Sequence, residues 1–408
     1  MKCRHCDQLL TVPFLDLRSA PPSNAYLTST SLAQPETWYP LKIMFCQQCW
    51  LVQTIDYTGC EELFNSDYAY FSSYSSTWLE HAQHYVNTMH AFLNLDQKSM
   101  VVEVAANDGY LLQYMQQKAI PCYGIEPTQS TAKAARAKGI EIFEEFFGVN
   151  FAQQLVLQGR QADLMIANNV LAHVPDINDF VAGFTILLKP EGVATFEFPH
   201  VLKMVQGAQF DTAYHEHYSY LSLTAVAHIF KNNGLTVFKV EELNTHGGSL
   251  RVFAQPTATG KQKIDSSVEA LLSLEQQAGL LSAEFYSAFQ AKVAKIKYEL
   301  VALLLDCKAK NIKVAAYGAA AKGNTLLNYS GIHADLIAYV VDKNPEKQGK
   351  YLPGSHIPIM SEQYLKDDRP DLVLILPWNL KEEIISQLVY IQKWGGKFIT
   401  AIPQLKIW

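Results

Sequence analysis

From Met100 onward the hydrophobic pattern changes period at nearly regular intervals, and this alternation limits the fold more than any other feature. MVVEVAAND reads as a strand and GYLLQYMQQKA as a helix. CYGIEPT is a second strand, and QSTAKAARAKG a second helix that stops at a glycine; ADLMIANNV and GVATFEFP are later strands with a helix between them. Short apolar runs alternating with amphipathic helices predict a parallel, doubly wound sheet. Residues 265–310 then read as a long helical stretch. The α/β period returns in KVAAYGAAAKGNTLLNY, LIAYVVDKN, DLVLILPWN and KFITAI. The predicted class is therefore α/β, with a Rossmann-like unit followed by a second Rossmann-like C-terminal unit. A chain of 408 residues is long enough for two or three domains.

The first 65 residues or so are different: dense in Cys, Pro and polar residues, they cannot build a large core and need a staple. Cys3-x-x-Cys6 and Cys46-x-x-Cys49 supply one. Each pair sets two thiolates on a tight knuckle, and four soft thiolates in a closed tetrahedron suit a structural zinc ion and leave no position for a reacting water. The gap between the pairs exceeds that of a compact zinc ribbon. Four buried free thiols or a redox pair are the alternatives. His5, inside the first knuckle, is expected to be a solvent-facing spacer. The remaining cysteines, Cys60, Cys122 and Cys307, make the total odd, which fits a reducing cytoplasm better than secretion. MKCRHCDQLL lacks a signal-like apolar region and no run is long enough to cross a bilayer, so no membrane partner is expected. A net charge of -6 argues against a nucleic-acid partner.

Glu103 to Gly109 (EVAANDG) lies where the first α/β strand exits, with an acid, small residues and then a helix, as in doubly wound folds that bring backbone amides to a cofactor. Ala105 and Asn107 stand where a dinucleotide loop has its first two glycines. Asp108 and Gly109 complete the turn. Glu126, followed by Pro127, ends the second strand, where an acid can accept hydrogen bonds from ribose hydroxyls. The loop holds no Lys or Arg for a pyrophosphate, which favours S-adenosylmethionine. Asn168 and Asn169 end a later strand and could meet the methionine part.

Phe210-Asp-Thr-Ala-Tyr-His-Glu-His-Tyr-Ser-Tyr220 is the densest chemical patch. Read as an extended segment, it would present His215 with His217 on one face and Tyr214 with Glu216 on the other. The two histidines with a carboxylate could bind a metal. As acid–base machinery, a neutral histidine could take a proton from carbon beside a carbonyl, oriented by Tyr or Glu. His173 and Tyr68 are further candidates. HGGSLR, ending at Arg251, offers either a phosphate-binding arginine or a plain strand turn.

These pieces in order, with CRHC, CQQCWLVQ, NNVLAHVPD, FEFPH and VVDKNPEKQGKYLPGSHIPI, resemble the C-methyltransferases that build branched deoxysugars by acting on dTDP-linked 4-keto sugars. The resemblance implies a zinc-binding domain (residues 1–67), an S-adenosylmethionine-binding methyltransferase domain (68–258), and a helical and Rossmann-like domain that helps hold the sugar nucleotide (259–408). It makes His217 the base, with Tyr214, Glu216, His173 and Tyr68 around the sugar. It turns Lys322, Asn324, Asp342 and His356 toward the nucleotide; His215, Lys203 and Arg251 join the substrate-side candidates. A 4-keto group acidifies the C3–H, and removal of that proton leaves a carbanion for the sulfonium methyl. The oligomeric state stays open, a monomer being the simplest expectation. The competing reading is an NAD-dependent sugar-nucleotide oxidoreductase or epimerase built on the C-terminal unit, with Asp342 on a ribose. Calorimetric titration separates the two: S-adenosylhomocysteine is expected to bind and NAD(H) not to, and the reverse pattern would overturn the methyltransferase reading.

Overall fold

The computed structural model describes residues 1–55 and 71–408. β1 (Val12–Ala20), β2 (Tyr39–Phe45) and β3 (Val52–Thr54) form an antiparallel sheet, and the second cysteine knuckle is the turn between β2 and β3. The face of β1 and β2 that carries Phe14, Leu15, Ile43 and Phe45 is not left to the cysteines alone. It packs on C-terminal helices, with Phe14 stacked on Phe289 at 4.9 Å and Phe45 on Tyr286 at 4.4 Å. Burying a Phe contributes about 2–3 kcal/mol, so the small sheet borrows its core from the other end of the chain.

After α1 (Ser76–Leu93), capped by the Ser75 hydroxyl accepting from the Trp78 amide, the central sheet is built. Its elements are β4 (Val101–Val104), α2 (Leu112–Gln117), β5 (Cys122–Ile125), α3 (Gln129–Ala137), β6 (Glu141–Phe143), α4 (Val149–Leu157), β7 (Ala162–Asn168), α5 (Ile177–Leu187) and β8 (Leu188–Pro199). These five strands are parallel, as the apolar runs predict. After α6 (Val201–Gln206), the two-residue strand β9 (Ser219–Tyr220) leaves for the first sheet and pairs with β3. After α7 (Leu223–Asn232), β10 (Leu235–Leu243) and β11 (Ser249–Pro256) return to give the order β10-β11-β8-β7-β4-β5-β6. Both are antiparallel to their neighbours and extend the parallel sheet by two strands that its sequence pattern does not include. The connection is too short for a crossover helix. His246, Gly247 and Gly248 all take positive φ (53°, 90° and 117°) to close it, so HGGSLR is a hairpin turn.

The helical stretch expected over 265–310 is broken at Gly279, whose φ of 95° ends one helix before the next is capped. It becomes α8 (Ser266–Gln277), α9 (Ala283–Ser287) and α10 (Phe289–Ala309). The last sheet follows from β12 (Val314–Tyr317), α11 (Ala321–Ser330), β13 (Val340–Val341), β14 (Ile359–Met360), α12 (Glu362–Asp368), β15 (Leu372–Ile375), α13 (Lys381–Gln387), β16 (Lys397–Thr400) and β17 (Lys406–Ile407). Its order is β14-β13-β12-β15-β16-β17, parallel except for β17. This is the second Rossmann-like unit.

Glu275 fastens α8 to the first α/β unit. One oxygen accepts from the Leu223 amide (2.7 Å) and lies 2.7 Å from His200 Nε2; the other accepts from the amide and hydroxyl of Thr224 at 2.8 and 2.6 Å. The side chains of Glu275 and His200 are fully buried. Glu275→Ala leaves the first amides of α7 and a buried imidazole without their partner, so unfolding in urea is expected to show a loss of about 3–5 kcal/mol; a change under about 1 kcal/mol would mean that water replaces the carboxylate.

Candidate active site

Cys3, Cys6, Cys46 and Cys49 converge so that all four sulfurs lie within 4.8 Å of one another. Cys3–Cys49, Cys6–Cys46 and Cys6–Cys49 are 3.6, 3.5 and 3.6 Å apart. A tetrahedron with Zn–S bonds of about 2.3 Å has edges of about 3.8 Å, so the donor set fits zinc. Without a cation the thiols cannot ionise together. A hydrogen bond from Cys49 drives Cys3 down, the same bond and then burial drive Cys49 up, and burial drives Cys6 up. His5 is not the expected solvent-facing spacer. It is buried, Nδ1 sits 2.7 Å from Asn178 Oδ1, and Nε2 sits 3.1 Å from Asn232.

At the end of β4, Ala105 and Asn107 take positive φ (58° and 49°), and Gly109 does so at 75°. A Cβ on Gly109 would be strained at this φ and would press on Ile140 Cδ1 and Ala135 Cβ, so glycine suits the turn best. Glu126 organises the loop: it accepts from the amides of Asn107 and Thr128, both at 2.9 Å, across Pro127. Burial raises its pKa and those amides oppose the shift. Glu103 is wholly buried with neither oxygen in a hydrogen bond of good geometry, and burial drives its carboxyl well up, the Tyr110 hydroxyl opposing. Buried oxygens of Asp108, Asn168 and Asn169 also lack a partner among the described residues. Four strand-end side chains with unspent hydrogen-bonding capacity around a left-handed turn fit a polar, amphoteric ligand such as S-adenosylmethionine. Segment 71–75 lies over this loop: the Ser72 amide donates to Asn107 Oδ1 at 3.0 Å, and the Ser73 hydroxyl bonds Asp108. Trp78 then stacks on Tyr110 and leans on His246, whose Nε2 is 3.5 Å from Asn169.

The histidine patch is a turn rather than an extended segment. The His217 amide donates to the Tyr214 carbonyl at 3.0 Å, which brings residues three apart together. The Tyr214 ring lies 4.0 Å from that of His217, and His173 meets His217 edge-on at 4.6 Å. His215 consequently does not share a face with His217; its Nε2 is 3.2 Å from the Tyr39 carbonyl, against β2. The His215–His217–carboxylate metal site is not assembled, since the cysteine quartet is the metal-competent cluster among the described residues. His217 Nδ1 lies 2.8 Å from the Thr212 carbonyl, and His173 Nδ1 is 2.8 Å from that of Glu216. A carbonyl only accepts, so each Nδ1 carries the proton and each Nε2 the lone pair. Burial holds His217 well below the usual imidazole range, helped by the charges of His173, His246 and Lys322; it brings His173 and His246 down to about 4. Burial lifts Glu216 to about 7.

The second Rossmann-like unit reaches this patch through α11. Lys322 is half-buried with Nζ 2.7 Å from Asn379 Oδ1 and 4.8 Å above the Trp378 ring, and desolvation lowers its pKa against the pull of Asp211. Asn324 donates to the Ser23 carbonyl, and Thr325 to that of Ala213. Asp342 accepts from the amides of Ala319 and Asn344, both at 2.8 Å, so it shapes the β12–α11 loop.

Three substrate-side candidates stand elsewhere. Arg251 is opposite Glu197 on β8 and Glu241 on β10, and its nearly buried guanidinium pairs with both, at 2.7 and 3.5 Å. It is an internal counterion rather than a phosphate ligand. Lys203 pairs with Glu242 at 3.0 Å, and the exposed His356 with Glu36 at 3.0 Å. Tyr68 lies outside the described residues. Several participants escape sequence reasoning: Asn24, Thr54, Trp78, Asp211 and Trp378. Asp211, buried and raised to about 6, accepts from Trp378 Nε1 at 2.8 Å. Trp378 follows the strand LVLI as a polar aromatic at a strand end, a signal of the kind that singled out Asn168.

Three family models match successive parts of the chain: "Putative zinc binding domain" over residues 3–64, "Methyltransferase domain" over 78–240, and "C-methyltransferase C-terminal domain" over 244–403. The C-methyltransferase NovU of Streptomyces niveus is 31% identical over 405 residues, covering 99% of this chain and 95% of the relative. The ubiquinone biosynthesis O-methyltransferase of Bordetella avium is 31% identical over 98 residues, 24% of this chain and 41% of that one. Among solved structures, the 1,6-didemethyltoxoflavin-N1-methyltransferase of Burkholderia thailandensis covers 51% of this chain and 96% of its own, at 14% identity and a TM-score of 0.36.

The cysteine geometry predicts about one zinc ion per chain in freshly purified protein by elemental analysis. Cys46→Ser is expected to lose the metal and lower the thermal midpoint. Substoichiometric zinc with undiminished stability would defeat the assignment.

Proposed function

The chain belongs to the C-methyltransferase family and is an S-adenosylmethionine-dependent enzyme, and from that premise we propose that its acceptor is C3 of a dTDP-linked 4-keto-deoxysugar. The NovU relative and the family resemblance support a sugar acceptor. The observation that carries the chemistry is His217: buried, neutral, its proton fixed on Nδ1 by the Thr212 carbonyl, and its Nε2 lone pair left for a substrate proton.

S-adenosylmethionine, when bound, supplies a methyl group on a positive sulfur that a carbanion can take. Glu103, Glu126, Asn168, Asn169 and the backbone of 105–109 would hold it, the two acids and two amides around its polar groups. His217 takes the C3 proton, and the C–H electron pair moves into an enolate conjugated with the 4-keto group. The half-buried ammonium of Lys322 and the Tyr214 hydroxyl offset the developing negative charge; electrostatic preorganisation of this kind is usually the largest single contribution to catalysis. His173, kept neutral by burial and with its proton likewise held on Nδ1 by a carbonyl, and Glu216 line the acceptor side. Asn324 and Asp342 shape the loop that would receive the nucleotide. Closed by its four sulfurs, the zinc takes no part in the chemistry.

A panel of dTDP-4-keto-deoxysugars assayed for methyl transfer tests the acceptor. The wild-type enzyme, given such a sugar and S-adenosylhomocysteine, is also expected to exchange the C3 proton with heavy water. His217→Gln is expected to reduce both methylation and exchange by about 10²–10⁴-fold with S-adenosylhomocysteine affinity unchanged. Full turnover in that variant would remove His217 as the base, and a panel without a methylated sugar would remove the acceptor.

A further inference from the structure

Glu216 is fully enclosed, yet its carboxylate is met from outside the methyltransferase sheet. Asn24 Nδ2 lies 3.2 Å from Oε1 and 3.2 Å from Oε2, an amide shared between both oxygens. An amide nitrogen only donates, so this geometry suits the ionised carboxylate. Asn24 itself is exposed, but its neighbours are pinned on both sides by the second Rossmann-like unit. The Ser23 carbonyl accepts from Asn324 Nδ2 at 2.6 Å, and the Tyr26 hydroxyl donates to the Ala319 carbonyl at 2.6 Å. Lys347 donates to that same carbonyl at 2.8 Å with its ammonium 5.1 Å from the Tyr26 ring. The contact therefore spans three parts of the chain: α11 and the β12–α11 loop fix residues 23–26, and residue 24 holds an acid of the histidine turn.

We propose that Asn24 is a positioning residue of the acceptor site, holding the Glu216 carboxylate in place and linking it to the loop on the nucleotide side. The assignment rests on the reading that Glu216 lines the acceptor site. The other groups around Glu216 do not replace this donor with a charge. Tyr26 and Tyr220 are phenols driven up by burial, each feeling the Glu216 charge. His173 spends its Nδ1 proton on the Glu216 backbone carbonyl, and His173 and His217 are both held neutral. Burial pushes Glu216 upward and the Asn24 hydrogen bond pulls it down. With the amide gone, only the upward push is left, so the carboxyl must hold its proton to higher pH.

The test is the titration of Glu216, followed by infrared difference spectroscopy of its carboxyl band and assigned with Glu216→Gln. In Asn24→Ala the midpoint is expected about one pH unit above that of wild type, the size of one hydrogen bond to a charged group. In Asn24→Asp, a second carboxylate should raise it further. The pH profile of kcat should move in the same direction, while S-adenosylhomocysteine affinity and zinc content stay at wild-type values. An unmoved midpoint in Asn24→Ala, whether or not turnover falls, overturns the assignment. The infrared midpoint needs no acceptor, so a wild-type protein that methylates no sugar nucleotide would sink the acceptor reading separately.

Discussion

Strand β3 is paired along both edges, and the histidine turn at residues 214–217 depends on that double pairing. On one side Ile43, Met44 and Phe45 of β2 face Thr54, Gln53 and Val52; on the other, Val52 and Gln53 face Tyr220 and Ser219 of β9. Gln53 bonds the metal knuckle, its Nε2 3.2 Å from Cys3 Sγ and its Oε1 accepting from the Arg4 amide. Its neighbour Thr54 donates its hydroxyl to the His217 carbonyl at 2.6 Å and its amide to the Tyr218 carbonyl. A four-residue turn with one internal hydrogen bond cannot repay an ordering cost of about 1–2 kcal/mol per residue. The strand lends it that order, and the cysteine centre fixes the strand. The cysteine cluster thus contributes to the placement of His217 through Gln53 and Thr54, without touching it.

Enclosure by three parts of the chain also accounts for the electrostatics. Burial moves the ionisable groups around His217 toward their neutral forms: His173, His217 and His246 fall, Asp211 and Glu216 rise, and Lys322 is lowered. A dry, neutral imidazole is suited to a weak carbon acid, because it does not first have to shed a proton, and nearby charges act undiluted by water. Asp211 and Glu216 each meet a side-chain donor, Trp378 and Asn24, that opposes the upward push of burial.

The parts of this arrangement that were legible in the sequence are those that local chemistry dictates. Two CxxC knuckles converge because four thiolates share one ion, and the apolar runs become parallel strands because their faces are buried on both sides. Glu126 stands at a strand end and organises the loop before it. What the sequence hid depends on long-range geometry. His215 and His217 look like face-sharing residues only if the segment is extended, and a hydrogen bond from residue 217 to residue 214 decides otherwise. Arg251 resembles an anion ligand until its neighbours across two strands are known. Asn24 sits in a Pro- and Ser-rich stretch with no periodicity, and 192 residues separate it from the acid it holds.

The antiparallel hairpin gives Arg251 its meaning. Glu197, Arg251 and Glu241 stand side by side on β8, β11 and β10, and His81 closes the group at 2.9 Å from Glu197. Buried ion pairs seldom add much net stability, because desolvation consumes the Coulombic gain. Their effect here is on register. Side chains alternate between the faces of a strand, so a slip of β11 by one residue would turn Arg251 away from both acids and leave the buried Glu197 without its guanidinium partner. The same register fixes the turn at residues 245–248, and with it His246 between Trp78 and Asn169. An arginine that looks like an anion ligand in the sequence therefore acts at a distance, by allowing the hairpin one alignment and so setting His246 beside Trp78 and Asn169.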